Sequence, residues 1–202
     1  YLNMLRANPA IARTSFQRIY DMILSYGYEE YTEHREKLIH YKFFDDPENN
    51  GKDAVYGLDR QLMKLVQIFR SAAHRYGTEK RVLLLHGPVG GAKSTIVRLL
   101  KKGLESYSRK DEGMMFTFAW RTLDPEDGPE WIECPMHEEP LHLIPMEIRY
   151  VIIDEINGAL PPGRELVAEG DLCPFCRKMF WEYLQKGGGE LSHVFNNVRV
   201  RR

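Results

Sequence analysis

What this chain has little of narrows it first. Only 3 of its 202 residues are cysteine. That is too few for the cross-linked scaffold of a small secreted domain. Charge of either sign is not in excess, since 28 Lys and Arg face 29 Asp and Glu and the formal net charge is −1. No bulk positive field therefore recruits nucleic acid or an anionic membrane surface. Long hydrophobic runs are missing as well. No stretch approaches the roughly 20 apolar residues that span a bilayer, and no signal peptide is visible. Nucleic acid and membrane are thus not expected partners, and the sparse cysteines fit a reducing, cytoplasmic setting. The length suffices for one sizeable core or two small ones. The chain opens at Tyr1 rather than Met and closes in the strand-like run Val198-Arg199-Val200-Arg201-Arg202, so it reads as a piece of a longer protein.

What is present is concentrated in one stretch, Val82-Leu83-Leu84-Leu85-His86-Gly87-Pro88-Val89-Gly90-Gly91-Ala92-Lys93-Ser94-Thr95. It reads as a buried strand over 81–85, a phosphate-binding loop and a helix. Backbone N–H groups converging at a helix N-terminus favour polyphosphate, through unpaired donors and the helix dipole together. The loop Gly87, Pro88, Val89, Gly90, Gly91, Ala92, Lys93, Ser94 and Thr95 is the expected nucleotide cradle. Lys93 is placed to reach the β- and γ-phosphates, and the Ser94 hydroxyl to ligate Mg²⁺. Ala92 stands where the pattern G-x-x-x-x-G-K-[ST] has its second glycine, a change that is harmless if φ there is negative. Four apolar residues ahead of the loop suit a strand buried on both faces of a parallel sheet. Behind it, Ile96, Leu99, Leu100 and Leu104 recur at helical spacing.

Elsewhere the pattern is helical or mixed. Asn8-Pro9 suggests a helix start, with Phe16, Ile19, Tyr20 and Ile23 as an apolar stripe ending at Gly27. A charged, aromatic segment follows over 28–46, and Asn49-Asn50-Gly51 signals a turn. A second helix is expected after Tyr56-Gly57, on Leu58, Leu62, Leu65, Val66 and Phe69. Val55, Tyr56 and Gly57 stand just ahead of this helix, where the chain resembles AAA-type ATPases; the resemblance implies contact with an adenine ring there, a small residue such as Gly57 letting the ring approach the backbone. Residues 113–120 read as a strand, 121–149 as an acidic, proline-rich excursion from the sheet, and 178–185 as a short helix. The expected organisation is an N-terminal helical and extended segment over 1–50, then a partial ATPase domain over 51–202 with an excursion spanning 121–180.

Two downstream patterns carry possible chemistry. Arg149-Tyr150-Val151-Ile152-Ile153-Asp154-Glu155 fits a strand whose Asp154 would hold Mg²⁺ and whose Glu155 would activate water. It equally fits an amphipathic helix with Ile148, Ile152 and Ile156 on one face. The second pattern pairs Cys134-Pro135-Met136-His137 with Cys173-Pro174-Phe175-Cys176. Two x-x spaced pairs of soft ligands would complete a tetrahedral Cys₃His zinc site, clamping the excursion structurally. Asp171 and His142 are weaker ligand candidates. The alternative is three unrelated thiols, with Cys173 and Cys176 as a redox pair.

The loop and its helix from His86 to Lys102, with Pro135-Met136-His137-Glu138-Glu139-Pro140-Leu141-His142-Leu143-Ile144-Pro145 and Glu169-Gly170-Asp171-Leu172-Cys173-Pro174, resemble the PrkA serine protein kinase family. The resemblance implies an α/β fold of the AAA type, a P-loop parallel sheet flanked by helices and incomplete here; the small zinc-knuckle insertion is expected from the cysteine and histidine spacing instead. The resemblance also implies ATP and magnesium as cofactors, and a protein substrate or partner in a cytoplasmic, possible homo-oligomeric assembly. In that family the segment matching 151–156 resembles a helix, which disfavours Asp154 and Glu155 as site residues. Protein phosphorylation is implied by the family's name alone, because no Gly-rich kinase loop, His-Arg-Asp or Asp-Phe-Gly set occurs. A nucleotide-sensing module without hydrolysis is the alternative. A small-metabolite kinase is less favoured, because its lid would need more arginines than Arg121 and Arg149.

Overall fold

A computed structural model describes residues 1–122 and 130–202. Along the first half run α1 (Leu2–Ala7), α2 (Ser15–Ser25), β1 (Tyr28–Glu33), β2 (Glu36–Tyr41), α3 (Asp59–Ala73) and α4 (Lys93–Arg109). The second half holds β3 (Thr117–Arg121), β4 (Trp131–Glu133), α5 (Met146–Asn157), α6 (Pro174–Lys186), α7 (Leu191–Asn196) and β5 (Val198–Arg201). They gather into two compact units, one of Arg13–Gly113 and the other of Tyr1–Ala12 with Met114–Arg202. Residues on both sides of position 50 share one core in the unit of Arg13–Gly113, where Met22, Ile23 and Phe44 pack with Leu62 and Leu99. Among the described residues no helix is long and apolar enough to cross a membrane.

In the unit of 13–113, α2 starts at Thr14 rather than at Asn8-Pro9. The Thr14 side chain accepts from the Gln17 backbone, and Gln17 Oε1 accepts from the Thr14 N–H at 2.9 Å, a reciprocal capping box. Asn8 instead caps a short 3-10 turn over Pro9–Ala12. The charged segment after Gly27 folds as an antiparallel hairpin, with Tyr28 opposite Tyr41 and Glu33 opposite Glu36. Its two-residue turn, His34-Arg35, holds both residues at positive φ (48° and 67°), which right-twisted strands require. β1 is exposed throughout, whereas β2 buries Leu38 and Tyr41. α2, α3 and α4 close around Met22, Ile23, Phe44, Leu62, Val66, Phe69 and Leu99.

The expected parallel sheet is not formed among the described residues. They hold a two-stranded sheet, β1-β2, and a three-stranded one in the order β4-β3-β5, both antiparallel. Residues 82–88 form no helix or strand, and Val82 and Leu84 are 96% and 81% exposed. Apolar character alone does not make a strand, because each ladder hydrogen bond needs a neighbouring chain.

In the other unit, Phe118, Trp120, Cys134, Cys176, Met179 and Tyr183 form one apolar cluster, and Leu5, Ile11, Leu141, Ile153, Ile156 and Leu166 another. The acidic excursion is partly sheet, since Trp131 to Glu133 pair with β3; its residues 123–129 lie outside the described residues. Arg149, expected at the head of a strand or in a lid, is 97% buried. Its guanidinium donates to the carbonyls of His142, Ile144, Ala168 and Gly170 at 2.8–3.3 Å. It thereby ties two irregular segments that have few backbone partners of their own.

Candidate functional site

The phosphate loop reaches its shape through three different devices. Gly90 takes φ +81°. Gly91 is needed for space, because a Cβ there would sit 3.1 Å from the Pro88 carbonyl and 3.7 Å from Lys93 Nζ. Ala92 adopts φ 55°, ψ 6° as the residue before α4. The condition that made alanine harmless is therefore not met: the left-handed backbone that favours glycine is present, and Ala92 bears its steric cost. The first helical bond runs from Ile96 N–H to the Ala92 carbonyl at 2.8 Å. The amides of Lys93, Ser94 and Thr95 thus precede the helical ladder, in the position of anion donors.

Lys93 is folded back on its own loop, donating to the Gly87 carbonyl at 2.9 Å and to the Pro88 carbonyl. Two backbone carbonyl oxygens thus hold the ammonium at the loop. A cavity of about 600 Å³ opens beside it, walled by Leu58, Leu62 and Leu65 of α3 together with Leu84, Pro88 and Lys93. Its size suits a nucleotide-scale ligand. Among its lining residues there is no Asp or Glu. Tyr56 is 77% exposed; Leu58 lines the cavity, but Tyr56 and Gly57 do not. Gly57 has φ +69° and no atom within 4 Å of a Cβ built on it, so its backbone is open to approach. Val55 is buried and donates to the Phe44 carbonyl at 2.9 Å, a core role rather than a ligand one.

Behind the loop, Arg98 and Lys102 of α4 converge on Asp53, with Arg98 forming two bonds of 2.6 and 3.0 Å and Lys102 one of 3.2 Å. These cations hold the Asp53 carboxyl at about 2, well below its ordinary range. A second linkage was not legible in the sequence. His40 of β2 bridges Asp59, at the start of α3, and Asp45, both at 2.9 Å, while Tyr31 donates to Asp59 at 2.8 Å. The two carboxylates raise the imidazole's pKa.

Asp154 and Glu155 fall on α5, so the strand reading of 149–155 is overturned. Both are exposed, and Glu155 pairs with Arg6 at 3.3 Å. A strand would have ended both carboxylates at a sheet edge, whereas the helix spends its apolar side on Ile153 and Ile156.

The cysteine pairs do converge. Cys134 follows β4, Cys173 caps α6 and Cys176 lies in its first turn; each is buried. Their sulfurs and a Glu138 carboxylate oxygen all lie within 4.8 Å of one another. His137, expected as fourth ligand, is excluded from the group. Its φ of 48° closes a turn whose N–H returns to the Cys134 carbonyl at 3.0 Å, and its side chain is exposed. Glu138, one residue on, takes the place. Burial pushes the Cys134 and Cys176 thiols up, which makes both poor nucleophiles as they stand. Asp171 and His142 also lie outside the group.

A family model described as "PrkA AAA domain" matches residues 1–200. The chain is 39% identical over 167 residues to a Bacillus subtilis (strain 168) protein named "ATP-dependent protease PrkA", covering 80% of this chain and 23% of that protein. It is also 35% identical over 83 residues to an "Uncharacterized protein in gldA 5'region" of Geobacillus stearothermophilus, covering 41% of this chain and 74% of that one. The chain therefore spans about a quarter of the Bacillus relative. No solved structure matches.

Proposed function

This chain belongs to the PrkA AAA-domain family, and from that premise we propose that its loop 87–95 binds the triphosphate of Mg-ATP. The observation that carries the reading is the loop itself, which has open amides at the start of α4, a glycine at 91 where a side chain would crowd Pro88, and an ammonium held at the loop's centre. Lys93 exchanges its carbonyl partners for β- and γ-phosphate oxygens, which carry more charge and bind an ammonium more strongly. Ser94, exposed in the first helical turn, is the side chain that would hold magnesium. Magnesium supplies charge neutralisation across the phosphates. The purine falls toward the start of α3, where the Gly57 backbone is open and Tyr56 and Leu58 flank it.

The output is ATP-driven work on a protein substrate by a longer protein, as the name "ATP-dependent protease PrkA" of the Bacillus relative suggests. Phosphoryl transfer to a protein, which the resemblance to a serine kinase family implies, is the competing output. A second reading, nucleotide sensing without hydrolysis by this chain, is favoured by the cavity's lack of an acidic side chain. Water attack on a γ-phosphate needs a group that orients the water, and the polar lining residues of that kind are the neutral amide of Gln61 and the imidazole of His86, with no carboxylate beside them.

Calorimetric titration tests the binding step. Mg-ATP is expected to bind, and Lys93→Ala to weaken it by roughly 10- to 100-fold. Unchanged affinity in that variant refutes the loop assignment. Turnover measured alongside distinguishes the outputs: transfer of labelled γ-phosphate to added protein supports a kinase, and binding without turnover supports the sensor. Glu155→Gln is expected to change neither binding nor turnover.

A further inference from the structure

A free set of three buried thiols and one carboxylate is an unusual thing to build. We infer that Cys134, Glu138, Cys173 and Cys176 form a closed, structural zinc site with Cys₃Glu ligation. It stands apart from the nucleotide reading and does not depend on it.

The dimensions support this directly. In a tetrahedral zinc site with Zn–S of about 2.3 Å and Zn–O of about 2.0 Å, the sulfur–oxygen edge is about 3.5 Å. The separation of Cys134 Sγ from Glu138 Oε2 is 3.5 Å. The four donor atoms all lie within 4.8 Å of one another, against sulfur–sulfur edges of about 3.8 Å in a tetrahedral zinc site, so binding draws the longest edge in by up to about 1 Å.

Two of the sulfurs already accept backbone hydrogen bonds. The Cys134 sulfur accepts the Glu138 N–H at 3.4 Å, and the Cys173 sulfur accepts the Cys176 N–H at 3.5 Å. Outer hydrogen bonds of this kind orient metal ligands and spread the charge of sulfur anions. The second oxygen of Glu138 accepts the Cys173 N–H at 2.9 Å, which fixes the carboxylate between the two cysteine loops. The Trp120 indole N–H is buried without a hydrogen-bond partner. The sulfur it faces is that of Cys176, and a zinc-bound thiolate there would be a stronger acceptor for it than the thiol. All four positions are filled by protein atoms, so the site has no open coordination place and its role is to hold the turn after β4 against the start of α6.

The test uses the full chain, purified without chelator. Metal analysis is expected to find about one zinc per chain. After removal, cobalt(II) added alone should give the intense sulfur-to-metal charge-transfer absorption of a thiolate site. Cys176→Ser is expected to lose the metal. Because that variant could fail for lack of folding, Glu138→Ala and His137→Ala are compared: zinc affinity falls at least tenfold in the first and is unchanged in the second. Native-like circular dichroism in both establishes that folding is not the cause. Absence of zinc, with no cobalt charge-transfer band, overturns the site. Loss of metal in His137→Ala with retention in Glu138→Ala overturns the ligand set in favour of Cys₃His.

Discussion

Ala92 holds a left-handed backbone at the most exacting point of the phosphate loop. An L-residue there bears a cost of about 1–2 kcal/mol, offset in part by the lower chain entropy that alanine has in the unfolded state. Ala92→Gly is therefore expected to stabilise the protein by about 0.5–1 kcal/mol in urea denaturation. A decrease in the midpoint would show that the strain is absent. His40 supplies a second prediction at this scale. Its pKa is raised above the ordinary 6.5 by Asp45 and Asp59. The linkage is therefore fully present below 6.5 and is lost as pH rises through the elevated folded-state value. The thermal midpoint should fall across that window, and His40→Gln should remove this part of the slope. A slope unchanged in the variant would place the titration elsewhere.

Where elements meet, Gly103 decides how closely α4 approaches its neighbours. A Cβ at 103 would lie 2.5 Å from Phe43 Cε2 and 2.8 Å from Met22 Sδ. Alanine gains about 1 kcal/mol in helix propensity, whereas overpacking costs about 1–3 kcal/mol. The overpacking term wins, because Phe43 is held between the rings of Tyr26 and Phe44, with centroids 5.4 and 5.1 Å away. Gly103→Ala should lower the urea midpoint with an unchanged denaturant slope. The hairpin makes a related point. Its turn carries no glycine or asparagine, and β1 buries nothing; packing of Leu38 and Tyr41 from β2 keeps it in register.

Across the whole molecule the two units have separate cores and separate candidate sites. A ligand that binds only the folded form stabilises it by about 2.7 kcal/mol at a hundredfold excess over its Kd. Saturating Mg-ATP should therefore slow hydrogen exchange in α4 and the loop ahead of it. The cysteine cluster of the other unit should not respond. Equal protection of 130–202 would show that nucleotide binding is coupled to that unit.

By itself the sequence determined the local pieces, because these follow from periodicity and turn chemistry among neighbours in the chain. The helices α3, α4 and α6 are legible in the spacing of their apolar residues, and the phosphate loop in Gly90, Gly91, Lys93 and Ser94. Short-range rules did not separate helix from strand over 149–155, and could not tell that Arg149 is an internal staple. Tertiary structure decided which distant residues meet. Glu138 replaces His137 beside three cysteines because one positive φ turns the histidine outward. His40 finds two carboxylates that sequence spacing does not pair. The run 82–85 shows the same limit from the other side. Its apolar side chains fit a buried strand, but pairing is a property of two chain segments, and that is the one thing a single segment cannot encode.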